Sequence, residues 1–145
     1  MERDIMRCIT FLSRKSQGYL TADFAKLNLT MAEQPFFMAL YHYEGVSQEK
    51  LTGLVGVDKA ATARAVKSME QKGMLIRLQD ENDRRQNKLY LTEHAKALWP
   101  EARDTLTSFN ARVTEGMDEQ TLEAVCQALQ RMDQNLSEMR KGRDE

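Results

Sequence analysis

Apolar residues recur at helical intervals along most of this chain, and regular apolar–polar alternation is confined to one short stretch. Ile5, Ile9, Leu12 and Tyr19 follow the helical period, which predicts a first helix from about Glu2 into the low twenties, bent or weakened at Gly18. Thr30 with Glu33 three residues on is a capping-box pair, in which hydroxyl and carboxylate each accept from the other's backbone N–H, so a second helix is predicted to start there. Pro35 has no N–H to donate, which predicts an irregular first turn or a later start. Ser47 and Asp58 are N-cap residue types, Leu51, Leu54 and Val55 form an apolar face, and Gly56 interrupts. Together they predict two short helices joined by a glycine turn, a helix-turn-helix. The second helix is expected to run to about Lys72 and end at Gly73, with Val66 and Met69 inward and Lys59, Arg64 and Lys67 outward.

"MLIRLQ" is β-prone and "QNKLYL" alternates as a half-buried strand does, while Asp80, Asn82 and Asp83 in the intervening "DENDRR" favour a turn. A helix-turn-helix followed by such a hairpin is a winged helix, so the expected fold is mainly α (α+β) with a two-stranded wing. From Thr92 a long helix is expected through Ala95, Leu98, Ala102, Leu106, Phe109, Val113 and Met117, with Pro100 bending it or sitting in its first turns. After Gly116 and the cap residue Asp118, a last helix carries Leu122, Val125, Leu129, Met132, Leu136 and Met139, the alternating three–four spacing of a heptad seam. That stripe is satisfied either by packing within the chain or by a partner helix.

At 145 residues, with 41% apolar and 30% charged positions, the chain suits one globular domain. It lacks a membrane-spanning apolar run and a signal-peptide core, so it reads as cytoplasmic with no membrane partner. Cys8 and Cys126 lie far apart and His42 and His94 do not cluster with them, which predicts no metal site. No phosphate loop, nucleophile elbow or paired carboxylate motif is present, so neither an enzyme nor a cofactor is expected. The net charge of −1 conceals a local polarity. Residues 57–90 hold eight Lys or Arg against five Asp or Glu, and residues 118–145 hold seven acids against four bases. That polarity suits a basic working face on a neutral or acidic support, and on charge alone equally a solvated helix face. Arg84 and Arg85 at the hairpin tip could follow a phosphate backbone or enter a minor groove, although the residues alone also fit a solvated tip with no partner.

The segment "LVGVDKAATARAVKSMEQKGMLIRLQDENDRRQNKLYLTEHAKAL" resembles the winged helix of the multiple-antibiotic-resistance regulator (MarR) family at Val57, Asp58, Glu70, Lys72, Gly73, Met74, Arg77, Asp83, Arg85, Leu91 and Thr92. The resemblance implies that the Asp58–Lys72 helix enters a major groove, that Arg85 is the wing arginine of the minor groove, and that Asp83 and Arg77 support the wing. Lys59, Ala60, Ala61, Arg64, Lys67, Arg84, Arg85 and Lys88 are then the candidate DNA contacts. Ala60, Ala61 and Ala63 stand where the family often has hydroxyl residues, so base reading should be sparse and phosphate contacts by Lys59, Lys67 and Lys88 heavier. Ala95 replaces a family glycine, which predicts an uninterrupted following helix.

The resemblance further implies one domain over 1–145, with 30–92 as the DNA-binding part and 1–29 plus 93–145 as a helical dimerisation part. Ile5, Ile9, Leu122, Val125, Leu129, Met132 and Leu136 are the candidate dimer contacts. The implied function is a homodimeric repressor on an inverted-repeat operator, with a small aromatic effector among Phe11, Tyr19, Phe36, Tyr41 and Trp99. The alternative is a winged-helix adaptor that binds an acidic protein. Cys8, near the Ile5–Ile9–Leu12 stripe and about 100° around the helix from Arg7, reads as a small buried hydrophobe and not as a reactive thiol.

Overall fold

Helix α1 (Ile5–Ala25) begins where the Asp4 carboxylate accepts from the Arg7 backbone N–H at 2.9 Å, satisfying one of the free donors of its first turn. The computed structural model describes residues 4–144, so the expected start at Glu2 lies outside the described residues. α1 runs unbroken through Gly18, against the expected weakening there.

The capping box forms in both directions: Thr30 N donates to Glu33 Oε1 at 2.9 Å and Glu33 N to Thr30 Oγ1 at 3.2 Å. It organises a turn, and α2 (Gln34–His42) starts only after it with Pro35 in the first turn, where the missing N–H costs nothing. α3 (Gln48–Val55) is capped by Ser47 and ended by Gly56 at φ +78°, a left-handed conformation that glycine adopts without strain. α4 (Lys59–Gln71) is capped by Asp58. Leu51, Val66 and Met69 are fully buried as expected, whereas Leu54 is exposed.

Strands β1 (Leu75–Gln79) and β2 (Asn87–Leu91) pair antiparallel, with Leu75 opposite Leu91 and Gln79 opposite Asn87. Leu89 and Leu91 face the core, and Val46 bridges to Leu89 beside the hairpin. β1 buries only Leu75, leaving Ile76 and Leu78 exposed. The core of this region gathers Phe24, Leu29, Phe37, Leu40, Met74 and Leu89 around the helix-turn-helix, each contributing about 1.5–3 kcal/mol by leaving water.

The long helix expected after Thr92 is two helices, α5 (Glu93–Lys96) and α6 (Trp99–Val113). The break follows from Pro100, which cannot donate to the Lys96 carbonyl four residues back and whose ring would collide with it. Ala95 therefore leads no continuous helix; it is fully buried. Met117 lies beyond α6. α7 (Glu119–Asp144) completes the chain, its start held by Asp118, whose Oδ1 accepts from Thr121 N at 2.8 Å.

The chain divides into two compact units, Met1–Thr105 and Leu106–Glu145. The division falls inside α6, and α1 and the winged helix lie in the first unit. In the second unit no described residue between 106 and 143 is buried, and Leu129 of the expected seam is 46% exposed.

Candidate nucleic-acid interface

Hydroxyl groups fix helix α4 in place. Thr62 Oγ1 donates to the Asp58 carbonyl at 3.0 Å and accepts from Thr52 Oγ1 at 2.8 Å, bolting α4 to α3 through a fully buried side chain. With Thr62, Ala65, Val66 and Met69 turned inward, the opposite arc of α4 presents Lys59, Ala60, Arg64 and Lys67 to solvent, with Ala61 half-buried at its margin. The arc is basic and contains small residues.

The wing tip is held by its own acids. Asp80 Oδ1 accepts from Asn82 N at 2.9 Å and Asp83 Oδ1 from Arg85 N at 3.0 Å, the Asx turns that these residue types favour. Asp80 N donates to the Gln86 carbonyl, Gln86 N to the Asp83 carbonyl, and Gln79 Nε2 to the Arg84 carbonyl. The carboxylates are thus engaged with backbone while the Arg84 and Arg85 side chains are exposed; Lys88, on β2, is half-buried. Arg77 acts at the other end of the wing, its Nε donating to Glu70 Oε2 at 2.9 Å and tying β1 to α4.

The remaining motif residues are joints of the same frame. Thr92 Oγ1 donates to the Gly73 carbonyl at 2.8 Å and accepts from Ala95 N at 3.2 Å, so it closes the strand end onto the α4–β1 turn and caps α5. Gly73 makes that turn at φ +72°. Lys72 Nζ pairs with Glu33 Oε1 at 2.6 Å, although Glu33 is 2% exposed. Burial raises the Glu33 pKa, and the bonds from Lys72 and Thr30 outweigh it to leave the carboxyl below its ordinary value. Sequence reasoning missed this pair, since the capping box accounted for Glu33 and nothing local linked it to Lys72.

A cleft of about 490 Å³ opens beside α4, with Phe36, Pro35, Met31 and Val57 among its apolar lining and Ala61, Arg64 and Ser68 contributed by α4. Of the five aromatic effector candidates it includes Phe36 alone. Tyr41 stacks on Trp99 with ring centroids 3.9 Å apart, and Phe11 and Tyr19 are exposed on α1, Phe11 flanked by the cations of Arg7 and Lys15. Cys8 is exposed, which corrects the expected burial; Ile5 and Leu12 of the same stripe are exposed as well. Along α7, Val125, Leu129, Met132 and Leu136 are exposed and Leu122 half-buried, while Ile9 on α1 is half-buried. Among the described residues no helix is long and apolar enough to cross a membrane.

Residues 29–86 match the MarR family. An uncharacterised HTH-type transcriptional regulator, YybA, of Bacillus subtilis (strain 168) is 33% identical over 97 residues, 67% of this chain and 65% of that protein. The chain thus spans a little under two thirds of that relative's length. The structure of the transcriptional regulator SlyA superposes with a TM-score of 0.89 at 28% identity, covering 93% of this chain and 95% of that one. A MarR family transcriptional regulator from Listeria monocytogenes, complexed with 26mer DNA, gives 0.86 at 25% identity over 94% and 91% of the two chains.

Proposed function

Because the chain belongs to the MarR family of transcriptional regulators, we propose that it acts as a homodimeric repressor that binds an inverted-repeat operator through α4 and the wing. The observation that carries this reading is the pairing, within one unit, of the exposed basic arc of α4 with a wing tip whose arginine side chains stay free of their own acids. Lys59, Lys67 and Arg64 supply phosphate and base contacts in the major groove, and Arg84 and Arg85 follow the minor groove, where width and potential matter more than base identity. The exposed α7 stripe is assigned to a second copy, because two-fold protein symmetry matches an inverted repeat.

A small aromatic effector is assigned to the cleft beside α4. Phe36 offers it an aromatic wall, and Ala61 and Arg64 would meet an occupant on the cleft side of α4. Selection of bound sequences from a random duplex library tests the reading. It should return a dyad with half-sites about one helical turn apart. A site without a dyad removes the dimeric operator, and absence of salt-dependent duplex binding removes DNA as the partner in favour of an acidic protein.

A further inference from the structure

Two motifs that look like separate local signals meet on a single oxygen atom. The capping box ends at Glu33 ahead of α2, and the Glu-x-Lys-Gly run at the end of α4 contains Lys72. Glu33 Oε1 accepts from Thr30 N at 2.9 Å and from Lys72 Nζ at 2.6 Å, and the same ammonium donates to the Asn28 carbonyl at 3.0 Å. Glu33 is 2% exposed and its Oε2 has no hydrogen-bond partner. A carboxylate so far from water is tolerated only with a fixed counter-charge, so the pair resists opening.

Lys72 is the C-cap of α4. Holding its ammonium against Asn28 and Glu33 pins that end of the helix to the segment between α1 and α2, just as the Thr52–Thr62 bond secures the beginning to α3. The basic arc is therefore presented at one angle, set from both ends.

We propose that the Glu33–Lys72 pair is a positioning latch that sets how well α4 discriminates its operator from random duplex. This rests on the reading that α4 enters the major groove. Base contacts require close placement, whereas phosphate attraction tolerates a loosely held helix, so opening the latch costs specific binding and spares the non-specific part. The requirement is strict here because Ala60 and Ala61 read by close approach and have no long side chain to compensate for a shifted axis.

Glu33→Gln isolates the latch. A glutamine oxygen still accepts from Thr30 N in a capping box, while the charge facing Lys72 is gone. Affinity for the library-selected operator should fall by tenfold or more, with affinity for random duplex at the same salt unchanged. Lys72→Gln approaches the pair from the other side, and Glu33→Gln/Lys72→Gln, which faces two amides, should fold and recover part of the selectivity lost by either single change. A lowered melting temperature with an unchanged operator-to-random ratio would mean that the pair only stabilises the fold, and overturns the latch. Losses that simply add in the double variant overturn the pairing. Wild-type protein that binds no duplex overturns the DNA reading itself, whereas wild-type selectivity retained by all variants overturns the latch alone.

Discussion

Helices α4 and α7 start from the same chemistry and end in opposite surroundings. Each is opened by an aspartate that accepts from the backbone three residues on, Asp58 from Ala61 N at 2.7 Å and Asp118 from Thr121 N at 2.8 Å, and each carries a regular inward-type stripe. On α4 that stripe disappears under α2, α3 and the wing. On α7 the stripe from Val125 to Met139 is exposed. Local sequence thus determines where a helix begins and which face is apolar, but what covers the face is a property of neighbours. The α7 stripe is also the more regular of the two, so regularity is no measure of burial within the chain; it is the heptad spacing that suits a partner helix.

The strongest way to break the comparison is Leu129→Asp. In an isolated α7 the substitution falls on an exposed position and should leave stability within about 0.5 kcal/mol. In a dimer seam it places a charge in an apolar contact, and both dimer and operator binding should be lost. Sedimentation and a DNA-binding isotherm decide, and a variant that remains a tight dimer moves the seam elsewhere. Met69→Ala tests the covered stripe: it opens a cavity in the core and should cost about 2–5 kcal/mol in denaturant unfolding. An effect under about 1 kcal/mol would mean that the site collapses around the missing atoms.

Arg85→Ala should weaken operator binding by about 1–3 kcal/mol, relax preference for A·T-rich flanks and lower the salt slope by roughly one per protomer. Unchanged affinity takes the wing out of the mechanism. Asp58→Ala should cost about 1 kcal/mol of stability as a lost cap, Asp118→Ala should destabilise in the same direction, and calorimetry on both sharpens the point that the two helix starts use the same chemistry.

The acid limb of stability separates buried from exposed carboxylates. The Glu33 pKa lies below its ordinary 4.5 and that of Asp118, lowered mainly by the bond from Thr121, below 3.8. Both contribute stability above those ordinary values and lose it as pH falls through the lower folded values. Glu33→Gln should flatten the pH dependence of unfolding below about pH 4.5. Asp118→Ala should change it least, its carboxylate being exposed; equal slopes in wild type and Glu33→Gln would show that Glu33 does not carry the acid sensitivity.

Elements whose signals are local are legible from residues alone. The caps at Ser47, Asp58 and Asp118, the glycine stop at Gly56, the Asx turns of the tip and the alternation of β2 all depend on atoms within a few positions of one another. So the winged helix, its basic arc and its arginine tip follow from residue order. Pro100 signals a disturbance in the same way, and where residue order left bend or split open the structure shows a split between α5 and α6.

Only tertiary structure could decide the rest, because the deciding partners lie far apart in sequence. Tyr41 stacks on Trp99, 58 residues away, and Arg77 finds Glu70 at the base of the wing and not the tip. Cys8 stands exposed on a stripe whose composition alone suggested burial. Glu33 shows the division most plainly: its bond to Thr30 follows from a spacing of three, while its bond to Lys72 spans 39 residues and exists only because the chain folds the end of α4 back onto the start of α2. Short-range hydrogen bonding is written in residue order, whereas burial and charge pairing depend on which surfaces the whole chain brings together.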